Sequence, residues 1–101
     1  QFVEQLRDGH DLDEVYLVTD KQLRANRNGN PFLLLELRDR TGGIQGRMWN
    51  AGENIARGFN AGDFVHATGK VQLFQGALQV IITEVHKEES QKIDYGDFLP
   101  Q

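Results

Sequence analysis

Gln45, Arg47 and Trp49 recur at every second position in one short stretch, which places a hydrogen-bonding, a cationic and an aromatic side chain in a row. Along a β-strand successive side chains point to opposite faces, so these three share one face while Ile44, Gly46 and Met48 share the other. Such a row suits a surface that stacks bases and meets phosphates. Phe32 and Phe74 add aromatic rings beside expected turns, Lys21, Arg24, Arg27 and Lys70 add cations, and Gln72 and Gln79 add amides near the last hairpin. Phe74, next to a hairpin tip, has no evident packing role. Trp49 reads equally as a stacking platform or as a packing partner for a helix. Any one of Lys21, Arg24 and Arg27 also reads as an ordinary residue on a solvated edge.

Catalytic chemistry is harder to assemble. His10-Asp11 spells the pair found in HD-type hydrolases, but metal chemistry needs a converging set of ligands. The remaining histidines, His66 and His86, both fall in expected strands, so no metal site and no cofactor are expected. Ser90 is the sole serine and lacks a neighbouring base to activate it. The glycines follow strand corners, not a strand-to-helix turn with lysine, so no phosphate-cradling loop is present. The chain reads as a binding module and not as an enzyme.

Turns and strands must position that row. Asn28-Gly29 and Gly42-Gly43 bracket the apolar run Phe32–Leu37, and Pro31 stands at its entry, where a missing N–H does least harm. Strands are expected over 14–25, 32–38, 44–50, 64–74 and 77–85, with a helix over 51–59 and a tight Gln75-Gly76 hairpin. Five strands with a helix between the third and fourth form the layout of an all-β, five-stranded OB-fold Greek-key barrel. Gly46 and Gly69 inside strands mark the bends that long barrel strands require. The expected core is Leu33, Leu35, Leu37, Ile44, Met48, Val65, Ala67, Val71, Leu78, Val80 and Ile82, with Ile55 and Phe59 plugging the bottom.

At 101 residues without cysteine, and with a net charge of −4, the chain is one globular domain without a disulfide frame. No apolar run is long enough for a membrane span, and a cytoplasmic location is expected. The charge is unevenly spread. Residues 20–50 hold six Lys/Arg against three acids, while the acids gather near the two ends. A basic middle between acidic flanks fits a binding face and argues against a tight, non-specific duplex binder. Starting at Gln1 and ending at Leu99-Pro100-Gln101, the chain reads as a fragment: leader 1–13, OB domain 14–87, and tail 88–101.

The series Asp20-Lys21, Asn28-Gly29-Asn30-Pro31-Phe32-Leu33, Leu37, Asp39-Arg40-Thr41-Gly42-Gly43-Ile44 and Met48-Trp49 resembles the N-terminal OB domain of the CMP-binding-factor-type 3′–5′ exoribonucleases. Gly62-Asp63, Gly69-Lys70-Val71, Gly76 and Asp97-Phe98-Leu99-Pro100 extend the resemblance over about residues 14–100. In that family an HD-type hydrolase domain follows the barrel. The resemblance implies a bacterial accessory module that holds single-stranded RNA or DNA for a C-terminal hydrolase domain of the same chain. The alternative is a protein-interaction or assembly module using the same barrel. Oligomeric state is not legible.

Overall fold

A computed structural model of the chain describes residues 2–88. Five strands, β1 (Asp11–Ala25), β2 (Pro31–Asp39), β3 (Gly42–Trp49), β4 (Phe64–Phe74) and β5 (Ala77–Lys87), close into a barrel in the order β1-β2-β3-β5-β4. Neighbouring strands are antiparallel except β3 and β5, which run parallel and complete the closure. A short helix, α1 (Glu53–Ala56), lies between β3 and β4. The expected five-stranded barrel, with its helix between the third and fourth strands, is therefore present.

β1 serves two neighbours. Its first half pairs with β4 from Asp11↔Lys70 to Leu17↔Phe64, and its second half pairs with β2 from Leu17↔Arg38 to Ala25↔Pro31. A bulge between Val18 and Asp20 bends the strand from one partner to the other. The strand begins at Asp11, ahead of the expected Glu14 and within the expected leader. Leu6 and Leu12 are buried, and a 3₁₀ turn at Val3–Gln5 docks on the β2–β3 corner. There the carboxylate of Asp39 accepts from the Val3 N–H at 2.7 Å and from the Thr41 N–H at 2.8 Å, and the Glu4 N–H donates to the Thr41 hydroxyl at 3.1 Å. Asp39 is buried, and these bonds satisfy it. Of the expected tail 88–101, only Glu88 falls among the described residues; Asp97-Phe98-Leu99-Pro100 lies outside them.

The helix expected over 51–59 shortens to Glu53–Ala56. Gly52 at its N-cap has no side chain to accept an amide, and Gly58 weakens the following turn. Ala51, Ala56 and Phe59 are nonetheless buried beneath the barrel. Strand alternation sorts the core as expected for Leu33, Leu35, Leu37, Ile44, Val65, Ala67, Val71, Val80 and Ile82. Met48, Leu78 and Ile55 are only partly buried and pack against it. Tyr16 and Val18 join the core from β1, where the uninterrupted run Val15–Thr19 conceals which face is inward. Burial, with Glu14 and Asp39 adding to it, pushes the Tyr16 phenol above its ordinary value, so it remains neutral in the core.

Gly69 marks a second bulge, where the β4–β5 register shifts between Thr68 and Gly69. A Cβ on Gly69 would sit 2.9 Å from both the Ile81 carbonyl carbon and the Ile82 Cα, and nearer still to the Ile81 oxygen. Backbone cannot step aside as a side chain can. Gly69→Ala is therefore expected to lower stability by about 1–3 kcal/mol in urea unfolding, in the range of overpacked sites. Gly46→Ala should cost less, because its nearest obstacle is the flexible tip of Ile82 at 2.7 Å. Equal losses at the two positions would contradict this reading of the bulge.

Candidate nucleic-acid interface

The register joins residues from all five strands into lateral rows on the outside of the barrel. One row runs Arg24–Phe32–Trp49, the next Gln22–Leu34–Arg47–Ile81–Lys70, and the next Asp20–Glu36–Gln45–Gln79–Gln72. Every second residue of each strand faces outward, so pairing places these side chains on one continuous surface.

At the β1–β2 end of this surface the aromatic and cationic groups converge. The rings of Phe32 and Trp49 lie 5.3 Å apart between centroids, tilted by 45°. The Arg47 guanidinium carbon stands 5.3 Å from the Trp49 ring centre and 5.6 Å from that of Phe32, within cation–π range. Arg47 forms no ion pair among the described residues, and its Nε is buried without a hydrogen-bond acceptor. Trp49 remains 47% exposed, so it is a surface group and not a core lid. β3 ends immediately after it, where Asn50 takes a left-handed φ of 58°.

Along the outer edge of β1, Arg24 Nε donates to the Gln22 amide oxygen at 2.8 Å, and Gln22 Nε2 donates to the Asp20 carboxylate at 2.9 Å. This relay orients Arg24 beside Phe32, its register partner. Arg27 lies in the β1–β2 loop, which is braced by the Asn26 amide oxygen accepting from the Asn28 and Asn30 N–H groups at 2.9 and 3.0 Å. Glu36 brings a negative charge to the same face but pairs with Arg38 at 3.7 Å.

Lys21 is placed elsewhere. Its spacing of three from Arg24 puts the two on opposite faces of a period-two strand. Lys21 Nζ donates to the carbonyls of Ala56 and Phe59 at 2.6 and 2.8 Å and to the Asn60 side-chain oxygen at 3.2 Å. Its ammonium ties the barrel bottom to β1 and is turned away from the row.

Phe74 is exposed at 49% but stands apart from the other rings. It pairs with Ala77, two residues before Gln79, which pairs with Gln45, four residues before Trp49. That offset amounts to about 20 Å along the strand direction. Phe32 and Trp49 thus mark the β1–β2 loop end of the face, and Phe74 marks the β4–β5 loop end. Gln45, Gln72 and Lys70 lie between them as exposed groups, whereas Gln79 is buried. Sequence reasoning missed Gln22, Leu34 and Ile81. Their signal was the alternation Asp20, Gln22, Arg24 and the register partners of Arg47.

The family of OB-fold nucleic acid binding domains matches residues 16–88, and the chain belongs to that family. Among curated proteins it is 27% identical over 92 residues to the 3′–5′ exoribonuclease YhaM of Bacillus velezensis. It is 28% identical over 92 residues to that of Bacillus pumilus. In both cases the match takes in 90% of this chain and 29% of the relative's length. The resemblance to bacterial exoribonucleases is thereby borne out at low identity. Among solved structures, the second OB-fold domain of replication protein A from Methanococcus maripaludis superposes with a TM-score of 0.66 at 21% identity, covering 89% of this chain and 95% of that one. Asparaginyl-tRNA synthetase from Pyrococcus horikoshii gives a TM-score of 0.65 at 19% identity, covering 81% of this chain and 20% of that one. At these identities the two structures establish the OB-fold. No helix among the described residues is long and apolar enough to cross a membrane.

Proposed function

We propose that this domain holds single-stranded nucleic acid, RNA in the first instance, across the outer face of β2 and β3, as the accessory substrate-binding module of a cytoplasmic 3′–5′ exoribonuclease. The observation that carries the reading is the Phe32–Arg47–Trp49 cluster. Two neighbouring rings share one cation, which has no anionic partner in the described chain. Bases stack on the rings, Arg24, Arg27, Arg47 and Lys70 meet phosphates, and Gln45 and Gln72 offer amides to base edges. The module itself cleaves nothing, and a hydrolase domain of the same chain performs the cleavage. Sequence preference is slight, because every base presents a π-face. An assembly module, the other use of such a barrel, is not favoured by the family match.

Salt dependence tests this directly. Each phosphate contact on a single strand adds about −0.7 to the slope of log K against log salt, so the four cations predict a slope of roughly −2 to −3. Fluorescence titration of an oligo-pyrimidine strand at several salt concentrations measures it. Salt-independent binding, or tighter binding of a duplex of the same length, would contradict the proposal.

A further inference from the structure

We propose that His66, His86 and Glu88 form a transition-metal site, suited to zinc, on the outer wall of β4 and β5, with Asp13 of β1 orienting His66. No residue of the interface described above takes part. The β4–β5 register sets His66 directly opposite His86, and their rings stand 5.3 Å apart. Glu88 stands two residues past His86, immediately beyond the end of β5, and its N–H donates to the Phe64 carbonyl at 2.8 Å, which holds this segment against β4. Glu88 Oε2 lies 3.8 Å from His66 Nδ1. One ligand atom from each of the three residues falls within 4.8 Å of the others.

The second nitrogen of His66 is committed elsewhere. Its Nε2 is hydrogen-bonded to the Asp13 carboxylate. This is the arrangement by which a carboxylate fixes the tautomer of a metal-binding imidazole and raises its basicity, and it leaves Nδ1 for the ion. The adjacent cation, Lys87, is directed to Asp63 at 3.8 Å. Zinc holds imidazole nitrogen at about 2.0–2.1 Å and carboxylate oxygen at about 2.0–2.2 Å in tetrahedral geometry, which sets ligand atoms about 3.3–3.5 Å apart. Small rotations of the partly exposed His86 and Glu88 side chains close the remaining gap. Two imidazoles and one carboxylate suit zinc and its neighbours in the first transition row better than calcium or magnesium. Water fills the fourth position. The bound ion would fasten the end of β5 to β4 and, through Asp13, to β1.

The test uses the untagged chain titrated with Zn²⁺ by calorimetry and with Co²⁺ by visible absorption. The expected result is one saturable site per chain, loss of that site in His86→Gln and in Glu88→Gln, and affinity about 10–100-fold weaker in Asp13→Asn. His10→Gln should bind as the parent does. Zinc should raise the thermal midpoint of the parent and leave that of His86→Gln unmoved. In the parent, the ring resonances of His66 and His86 should shift with metal while those of His10 stay in place, a readout that needs no variant to fold. Absence of a saturable site, binding that survives His86→Gln, or ring shifts centred on His10 would overturn the proposal.

Discussion

Replacing Phe32 and Trp49 together by alanine is expected to weaken single-strand binding by about 2–4 kcal/mol while leaving the barrel folded. A stacked base is worth about 1–3 kcal/mol, and two rings in contact do not contribute independently. The rings stand 5.3 Å apart and flank the same guanidinium, so their removal also leaves Arg47 without its stacking surface. Trp49 is exposed and Phe32 half-buried, so the cost in stability should be much smaller than the cost in affinity. Fluorescence anisotropy with a labelled strand measures affinity, and thermal unfolding checks the fold. Phe74→Ala supplies the contrast. Because Phe74 lies at the far end of the face, its loss should be felt with long oligonucleotides and scarcely with short ones. A double variant that binds as the parent does would place the interface elsewhere.

Phe59→Ala is expected to lower stability by about 3–5 kcal/mol, the usual cost of removing a buried phenylalanine. Phe59 is 2% exposed at the bottom of the barrel. The Lys21 ammonium stands 5.6 Å from its ring centre and bonds its carbonyl at 2.8 Å. Truncating the ring opens a cavity and loosens the carbonyl cradle that holds a charged group. Urea unfolding monitored by circular dichroism measures the loss. A change below about 1 kcal/mol would mean that the helical segment, and not this ring, closes the barrel.

The strands were legible where polar and apolar residues alternate. Ile44, Gly46 and Met48 against Gln45, Arg47 and Trp49 announced the two faces of β3, while Asn28-Gly29 and Gln75-Gly76 announced the turns before β2 and between β4 and β5. The docking of the leader was not legible, because the bond that ties Val3 to Asp39 joins residues 36 apart in sequence. Lys21 looks like a companion of Arg24 in sequence, and the period of two along β1 turns it instead to the carbonyls of Ala56 and Phe59. The convergence of Phe32, Arg47 and Trp49 was half legible. Alternation put Arg47 and Trp49 on one face, but only the β2–β3 register brings Phe32 to them. His66 and His86 follow the same logic. Each sits in a strand and looks solitary in sequence, and cross-strand pairing makes them neighbours.

The most direct test of the central claim is an amide and indole nuclear magnetic resonance map of the isotopically labelled chain as an unlabelled oligo-pyrimidine strand is added. The largest shifts are expected at Arg24, at Phe32 and Leu34, at Arg47, and at the indole N–H of Trp49, with Lys21 and the barrel bottom unmoved. Shifts concentrated at Lys21, Ala56 and Phe59, with the Trp49 indole unchanged, would contradict it.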